Sequence, residues 1–296
     1  MIPRPDILCI GSVLWDVIGR TSATMRLGAD VPGRITREPG GVAMNIAATL
    51  RRFGLTPALL TAIGRDAEGD ELMAACDRLG LVTAHVHRAD ALPTDRYLAV
   101  EGANGLIAAI ADARTLEAAG ARILGPLADG TLASPEAPWT GPVALDGNLT
   151  VALLAEIAAS PLFAAADLRV APASPGKADR LLPLLRHPRA TFYVNLEEAG
   201  LLLGERVPAA PEAASALRSR GAARVLVTDG GRAAALADGE GVLTALPPRV
   251  PVARVTGAGD AFMAAHIAAE RRGVGRADAL AAALSAAADH VSGVTA

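Results

Sequence analysis

Aromatic residues are scarce: the 296 residues include two Trp, two Tyr and four Phe. Trp15 and Tyr97 are the rings that fall within the candidate ligand segments described below. Cysteine is as rare. Cys9 and Cys76 exclude a disulfide framework and fit a reducing compartment, expected to be the cytoplasm. Cys9 lies inside an apolar run and reads as a small buried hydrophobe. Lysine is nearly absent, with Lys177 alone among 28 basic residues. Either this position keeps a compact point charge for a purpose, or it is an ordinary solvated side chain. Neither sign of charge dominates. A net charge of −3 argues against a nucleic-acid partner gripped through a broad basic surface. Mean hydropathy is +0.34, raised by alanine. Even so, no apolar run reaches the roughly 18 residues of a membrane span. The richest alanine stretch, residues 279–288, ends in Asp289-His290. The first residues show no charged segment followed by a long apolar one, so no signal peptide is expected.

What is present is apolar mass. Hydrophobic residues make up 51% and charged residues 20%, enough for a sizeable core and too apolar for a disordered chain. No repeat of solenoid period is found. Apolar β-type runs at residues 7–10, 58–63, 143–145, 168–171, 192–194 and 224–228 alternate with helical patterns such as 42–53 and 69–79. Residues 257–290 are helix-rich. The alternation predicts a single α/β domain over residues 1–296, with a mostly parallel sheet covered by helices on both faces.

One segment breaks the pattern. Residues 96–100 and 106–110 flank Glu101-Gly-Ala-Asn-Gly105, and Asn-Gly between apolar runs is a hairpin signal. Residues 13–19 and 34–36 are suited to pair with it. A small secondary sheet from about residues 12–37 and 94–112 is therefore expected, either as a lid over a ligand or as a plain edge hairpin.

The segment Val255-Thr-Gly-Ala-Gly-Asp-Ala-Phe262 carries the strongest chemical signal. Glycines let a backbone approach a ligand, and the free amides of a helix start form an anion site. Asp260 beside such a site is placed to take the proton of an attacking hydroxyl, while the amides of Gly257, Ala258 and Gly259 stabilise the transferred charge. The plainer alternative is a capped helix after a turn. No G-x-x-x-x-G-K-[ST] is present, and Phe262 breaks a G-x-G-x-x-G. In Gly40-Gly-Val-Ala-Met-Asn45, Gly41 permits close approach and Asn45 offers a donor and an acceptor, which suits a polyhydroxy ligand. Asp16, beyond the first strand, has two oxygens for vicinal hydroxyls. Asn195 and Glu198 have the spacing of a capping box at a strand end, where nucleotide phosphates and Mg²⁺ sit in open α/β folds. Thr228 and Gly230 lie in a strand-to-glycine turn that either touches a phosphate or is only a turn.

Taken together, these segments resemble the PfkB (ribokinase-like) carbohydrate kinases over nearly the whole chain. Gly40-Gly-Val-Ala-Met-Asn45 is similar to the N-terminal signature. Ala62-Ile-Gly-Arg-Asp66 with Gly69 is similar to the G-x-D-x-x-G segment, and Thr256-Gly-Ala-Gly-Asp260 to the C-terminal signature. The resemblance implies a ribokinase-like fold, ATP, Mg²⁺ and phosphorylation of a sugar-like hydroxymethyl group. It implies Asp260 as the base and Gly257, Ala258 and Gly259 as the anion hole. Asp16, Gly41 and Asn45 would meet the sugar, with Trp15 and Tyr97 as candidate stacking rings. Asn195 and Glu198 would organise the metal. Thr228, Gly230 and Lys177 would lie near the nucleotide. In such kinases the lid often also forms a homodimer contact.

Three stretches are similar to the pseudouridine kinase branch: Asp30-Val-Pro-Gly-Arg34, the hairpin strands at 96–100 and 106–112, and Ala173-Ser-Pro-Gly-Lys-Ala-Asp-Arg180. Pseudouridine is thus the first expected substrate. A free sugar or an ordinary N-nucleoside comes second, and a non-catalytic sugar-binding protein third. Two positions depart from the family pattern. Arg254 stands where an acid helps hold a monovalent cation, so K⁺ activation is expected to be lost or weak. Ala233 replaces a glycine on the adenosine side.

Overall fold

Alternate residues of the core strands feed two separate hydrophobic cores. Leu8, Ile10, Leu60, Val143, Leu145 and Phe192 enter one, and Ile7, Cys9, Leu59, Ala144, Tyr193 and Leu226 enter the other. Strands covered on both faces read as unbroken apolar runs, which is why they were visible in the sequence. The computed structural model describes residues 3–293; residues 1–2 and 294–296 of the expected domain lie outside the described residues.

In chain order, β1 (Ile7–Ile10), β2 (Leu14–Arg20) and β3 (Arg34–Gly40) precede α1 (Val42–Arg52). Next come β4 (Pro57–Leu60), β5 (Ala62–Gly64), α2 (Ala67–Arg78), β6 (His87–Ala89), β7 (Arg96–Gly102) and β8 (Gly105–Asp112). Short helices α3 (Arg114–Ala119) and α4 (Gly125–Ala128) lead to β9 (Pro142–Asp146), α5 (Val151–Ala159), β10 (Asp167–Ala171) and β11 (Ala190–Asn195). Then follow α6 (Leu196–Leu203), α7 (Ala210–Ser219), β12 (Arg224–Thr228), β13 (Ala234–Asp238), β14 (Gly241–Ala245), α8 (Ala258–Arg271) and α9 (Arg276–Ser292).

The main sheet has the order β14-β13-β12-β11-β10-β9-β1-β4. It is parallel from β4 to β12 and antiparallel only at β13 and β14. The fold is ribokinase-like α/β, as expected. One strand differs from its sequence reading. Residues 58–63 form two strands, because β5 leaves the main sheet to pair with β6.

The second sheet is real and has the order β3-β2-β7-β8, with β2 and β7 parallel and the outer pairs antiparallel. Its base rests on α2. The Trp15 indole donates to the Glu68 carbonyl (2.9 Å), Arg96 pairs with Glu68 (2.7 Å), and Arg37 pairs with Glu71. Asp66 fastens the same corner. It caps α2 at Gly69 and accepts from the Thr94 backbone and hydroxyl. No helix of the described residues is long and apolar enough to cross a membrane.

Candidate active site

Parallel strands bring their C-terminal ends to one edge, and open α/β sheets bind ligands there. On this edge β1 runs into Gly11-Ser12, β9 ends at Asp146, β11 at Asn195 and β12 at Thr228. The start of α1 meets the same edge. Gly41 is its cap at φ +96°, and a Cβ there would lie 2.4 Å from the Ser12 carbonyl oxygen. The close approach requires glycine.

Asp146 organises this corner and was not singled out in the sequence. It is fully buried. One carboxylate oxygen accepts from the Ser12 N–H (2.7 Å), the Ser12 hydroxyl (2.8 Å) and the Ala43 N–H (3.2 Å). The other accepts from the Asn148 N–H at 2.5 Å. The Asn148 amide donates to the Ser12 hydroxyl (2.8 Å), and its oxygen accepts from Lys177 Nζ (2.5 Å). Lys177 is therefore half-buried and fastened to the strand edge, not a free solvated side chain. Burial and neighbouring Arg180 lower its pKa. The sequence held one clue to Asp146: an Asp-Gly-Asn turn directly after an apolar run.

Asp260 sits in the first turn of α8, and one of its oxygens accepts from the Asn45 side-chain amide at 2.9 Å. The contact joins segments 215 residues apart and brings the two strongest sequence motifs to one point. Burial pushes the Asp260 carboxyl up to about 7; the Asn45 bond opposes the shift, and the carboxylates of Asp146, Asp16 and Glu198 add to it. Asp16 is itself pushed up to about 6 by burial and by Glu38. A Cβ at Gly40 would lie 2.1 Å from the Asp16 carboxylate, so that carboxylate lies directly against the glycine pair. Tyr97 pairs with Asp16 across β2 and β7 and shares its face of the sheet.

Asn195 and Glu198 form the expected capping box. The Asn195 side chain accepts from the Glu198 N–H (2.9 Å), and Glu198 accepts from the Asn195 N–H (2.8 Å). Glu198 is 7% exposed, and burial pushes its carboxyl up to about 7. Thr228 lies beside Asn195 in register, and Gly230 adopts φ +55° in the turn that follows.

Two expected roles are corrected by the geometry. Trp15 cannot stack on a ligand. Neighbouring strand residues point to opposite faces, so Trp15 turns away from the Asp16 side. It is 6% exposed, and the Arg37 guanidinium covers its ring at 4.1 Å. Ala258 is not a free anion-hole donor, because its N–H closes a turn onto the Val255 carbonyl at 3.1 Å. Among the described residues, no acceptor takes the N–H groups of Gly257, at φ +85°, or Gly259.

Arg254 also settles a question of fit. Its Nε donates to the His290 carbonyl (3.0 Å), while the Ala253 and Arg254 N–H groups donate to the Val291 carbonyl (2.9 and 3.1 Å). The Thr256 carbonyl is engaged by His290 Nε2 at 2.8 Å. A monovalent cation here would need several free oxygen donors, but a guanidinium stands at this corner, the His290 and Val291 carbonyls each accept from two protein donors, and the Thr256 carbonyl accepts from one. The residues present do not fit that ion.

The chain resembles known proteins over nearly its full length in fold and over short stretches in sequence. A 64-residue stretch is 36% identical to the pseudouridine kinase of Arabidopsis thaliana, covering 22% of this chain and 17% of that protein. An 81-residue stretch is 33% identical to the pseudouridine kinase of Escherichia coli, covering 27% of this chain and 26% of that protein. The chain thus aligns with 17% and 26% of these two relatives' lengths. The ribokinase of Thermotoga maritima superposes with a TM-score of 0.79 at 21% identity, over 97% of this chain and 93% of that one, a likeness of fold. The profile of the pfkB family carbohydrate kinases matches residues 4–294, and with the carboxylate-lined edge of a ribokinase-like sheet beneath it, the chain belongs to that family of phosphotransferases.

Proposed function

We propose that the protein transfers the γ-phosphoryl group of ATP to the primary hydroxyl of a sugar-like molecule, with pseudouridine, converted to its 5′-phosphate, as the first acceptor. The observation that carries this reading is the Asp260 carboxyl, poised to about 7 and held by Asn45 beside the unengaged N–H groups of Gly257 and Gly259. A base poised near the working pH takes up a proton readily and gives it up again. Asp260 accepts the hydroxyl proton as the oxygen attacks phosphorus, and the two amides stabilise charge on the transferred group. Asp16, Asn45 and Gly41 orient the acceptor. Lys177, Thr228 and Gly230 face the nucleotide side of the same edge.

The oxygen-rich donor set suits Mg²⁺. Burial raises the carboxyl groups of Asp260, Asp16 and Glu198, and neighbouring carboxylates add to each shift, so acidic groups gather at this edge and would favour a bound cation. Bound there, Mg²⁺ would offset these carboxylates and the charge of the polyphosphate. Glu198, oriented by Asn195, would hold it through water. No group of three His, Cys, Asp or Glu among the described residues forms a cage, so phosphate and water would complete the shell.

Pseudouridine is supported by the short stretches shared with two pseudouridine kinases. A free sugar is the second acceptor class, favoured by the burial of Trp15, which leaves Tyr97 as the ring on the Asp16 face. Mass-spectrometric readout of ATP turnover with pseudouridine, uridine, adenosine, ribose and fructose tests the assignment. The expected result is the highest kcat/KM with pseudouridine. A preference for ribose or fructose would reassign the acceptor, and no phosphorylated product from any of them would end the kinase reading.

The second sheet would act as the lid, with its Asp16 and Tyr97 face toward the acceptor. Its opposite face carries Leu98 and Ile110 in register, with Ile35 on the same face two positions further along; they are 44%, 66% and 76% exposed. A second copy of the chain would cover that face, as the family resemblance implies, by packing sheet on sheet.

A further inference from the structure

We propose that Arg254 and His290 form a positioning clamp that aims the Gly257 N–H into the anion site. The inference rests on the kinase reading above, since it concerns how that site's donor is oriented. The contacts fix the proton on the imidazole. Arg254 Nη2 can only donate, and it lies 3.4 Å from His290 Nδ1. Nδ1 is then the acceptor, and the hydrogen of a neutral ring sits on Nε2. Nε2 donates to the Thr256 carbonyl at 2.8 Å. A trans peptide is planar, so its C=O and N–H point in opposite directions. Pinning the Thr256 carbonyl onto His290 therefore turns the N–H of the same peptide, that of Gly257, away from α9.

The ring also supports the turn by contact. A Cβ at Gly257 would lie 3.0 Å from His290 Nε2 and 3.1 Å from Cε1, so the left-handed Gly257 backbone rests on the imidazole. Arg254 holds the ring in place. Its guanidinium binds the His290 carbonyl in the last turn of α9, which also accepts from the Gly293 N–H at 3.2 Å, at the helix end that favours a cation. A fixed guanidinium thus does the work of a dissociable ion at this corner. Neither side chain touches the acceptor segments, so the effect should fall on phosphoryl transfer and not on acceptor affinity.

The test is steady-state kinetics of Arg254→Ala, His290→Ala and His290→Gln with ATP and the acceptor that the panel returns. Positioning groups behind a reacting centre are typically worth 10- to 100-fold. Both alanine variants are expected to lose about that much kcat while acceptor KM changes by less than about twofold. His290→Gln, which retains an N–H donor of similar reach, should recover most of the loss. The wild-type kcat should be the same in K⁺, Na⁺ or tetramethylammonium at constant ionic strength. The clamp is overturned if folded alanine variants keep wild-type kcat, if Gln and Ala behave alike at 290, or if K⁺ raises kcat several-fold. Should the alanine variants not fold, His290→Asn, too short to reach the Thr256 carbonyl, replaces them against His290→Gln. Equal kcat values would then reject the proposal. If no acceptor in the panel is phosphorylated, the kinase reading fails first. The clamp is then read from calorimetric binding of Mg²⁺ with a non-hydrolysable ATP analogue, which the same variants should weaken and whose indifference to them would reject it.

Discussion

A carboxyl that takes a proton at neutral pH must lie in surroundings that make its charge costly, and Asp260 does. Asp260→Asn should lower kcat by about 10²–10⁴, the scale of a lost general base. It should also stabilise the protein. The folded carboxyl titrates near 7 and an unfolded one near 4, so the folded state binds the extra proton between these values. The contribution of Asp260 is most favourable at low pH and is lost as pH rises through 7. Asp260→Asn is therefore expected to raise Tm by a few degrees at pH 8 and by little at pH 4.5, measured by calorimetry on the ligand-free protein. For the same reason, wild-type kcat/KM should fall about tenfold per pH unit below about 7. Burial raises the Asp146 carboxyl as well, but its carboxylate satisfies buried donors at Ser12, Ala43 and Asn148, so removing it leaves them without a partner. Asp146→Ala should cost about 3 kcal/mol or more in urea unfolding, since each orphaned buried donor costs about 1–3 kcal/mol. Asp260 was legible because two glycines before a helix name a chemistry. Asp146 was not, because an acid at a strand end acquires its meaning only from Ser12 and Ala43, more than 100 residues away.

At the scale of elements, what the sequence revealed followed burial. β1, β10, β11 and β12 are buried along most of their length and were readable within a residue or two, even though Asp167 and Arg169 put an ion pair on one face of β10. The separation of β4 from β5 was not, because one apolar run serves two sheets and only pairing with β6 divides it. The hairpin of β7 and β8 was announced by its Asn-Gly turn, but the footing of the second sheet on α2 was not. That footing consists of arginines meeting Glu68 and Glu71, side chains that would otherwise count as solvated surface. Half-exposed ion pairs are each worth about 0.2–1 kcal/mol. Glu68→Ala should therefore loosen the sheet modestly, raising acceptor KM about two- to fivefold with kcat largely kept. An unchanged KM would separate the footing from acceptor binding.

For the whole molecule, the apolar outer face of the second sheet sets the expected assembly. Ile110→Asp places a charge among Ile35 and Leu98 and should convert a dimer to monomers in light scattering after size-exclusion chromatography. A wild-type protein that elutes as a monomer at every concentration tested would reject the interface. The near-absence of lysine has a practical outcome. Amine-selective esters meet a single side chain here, beside the α-amine of the chain, and Lys177 is bonded through Asn148 to the Ser12 corner. Its lowered pKa leaves more of it uncharged, and therefore nucleophilic, than a surface lysine at the same pH. A dye can thus be attached at Lys177 without engineering a cysteine, and a change in its signal on adding Mg²⁺ and ATP would test whether that side chain lies beside bound nucleotide.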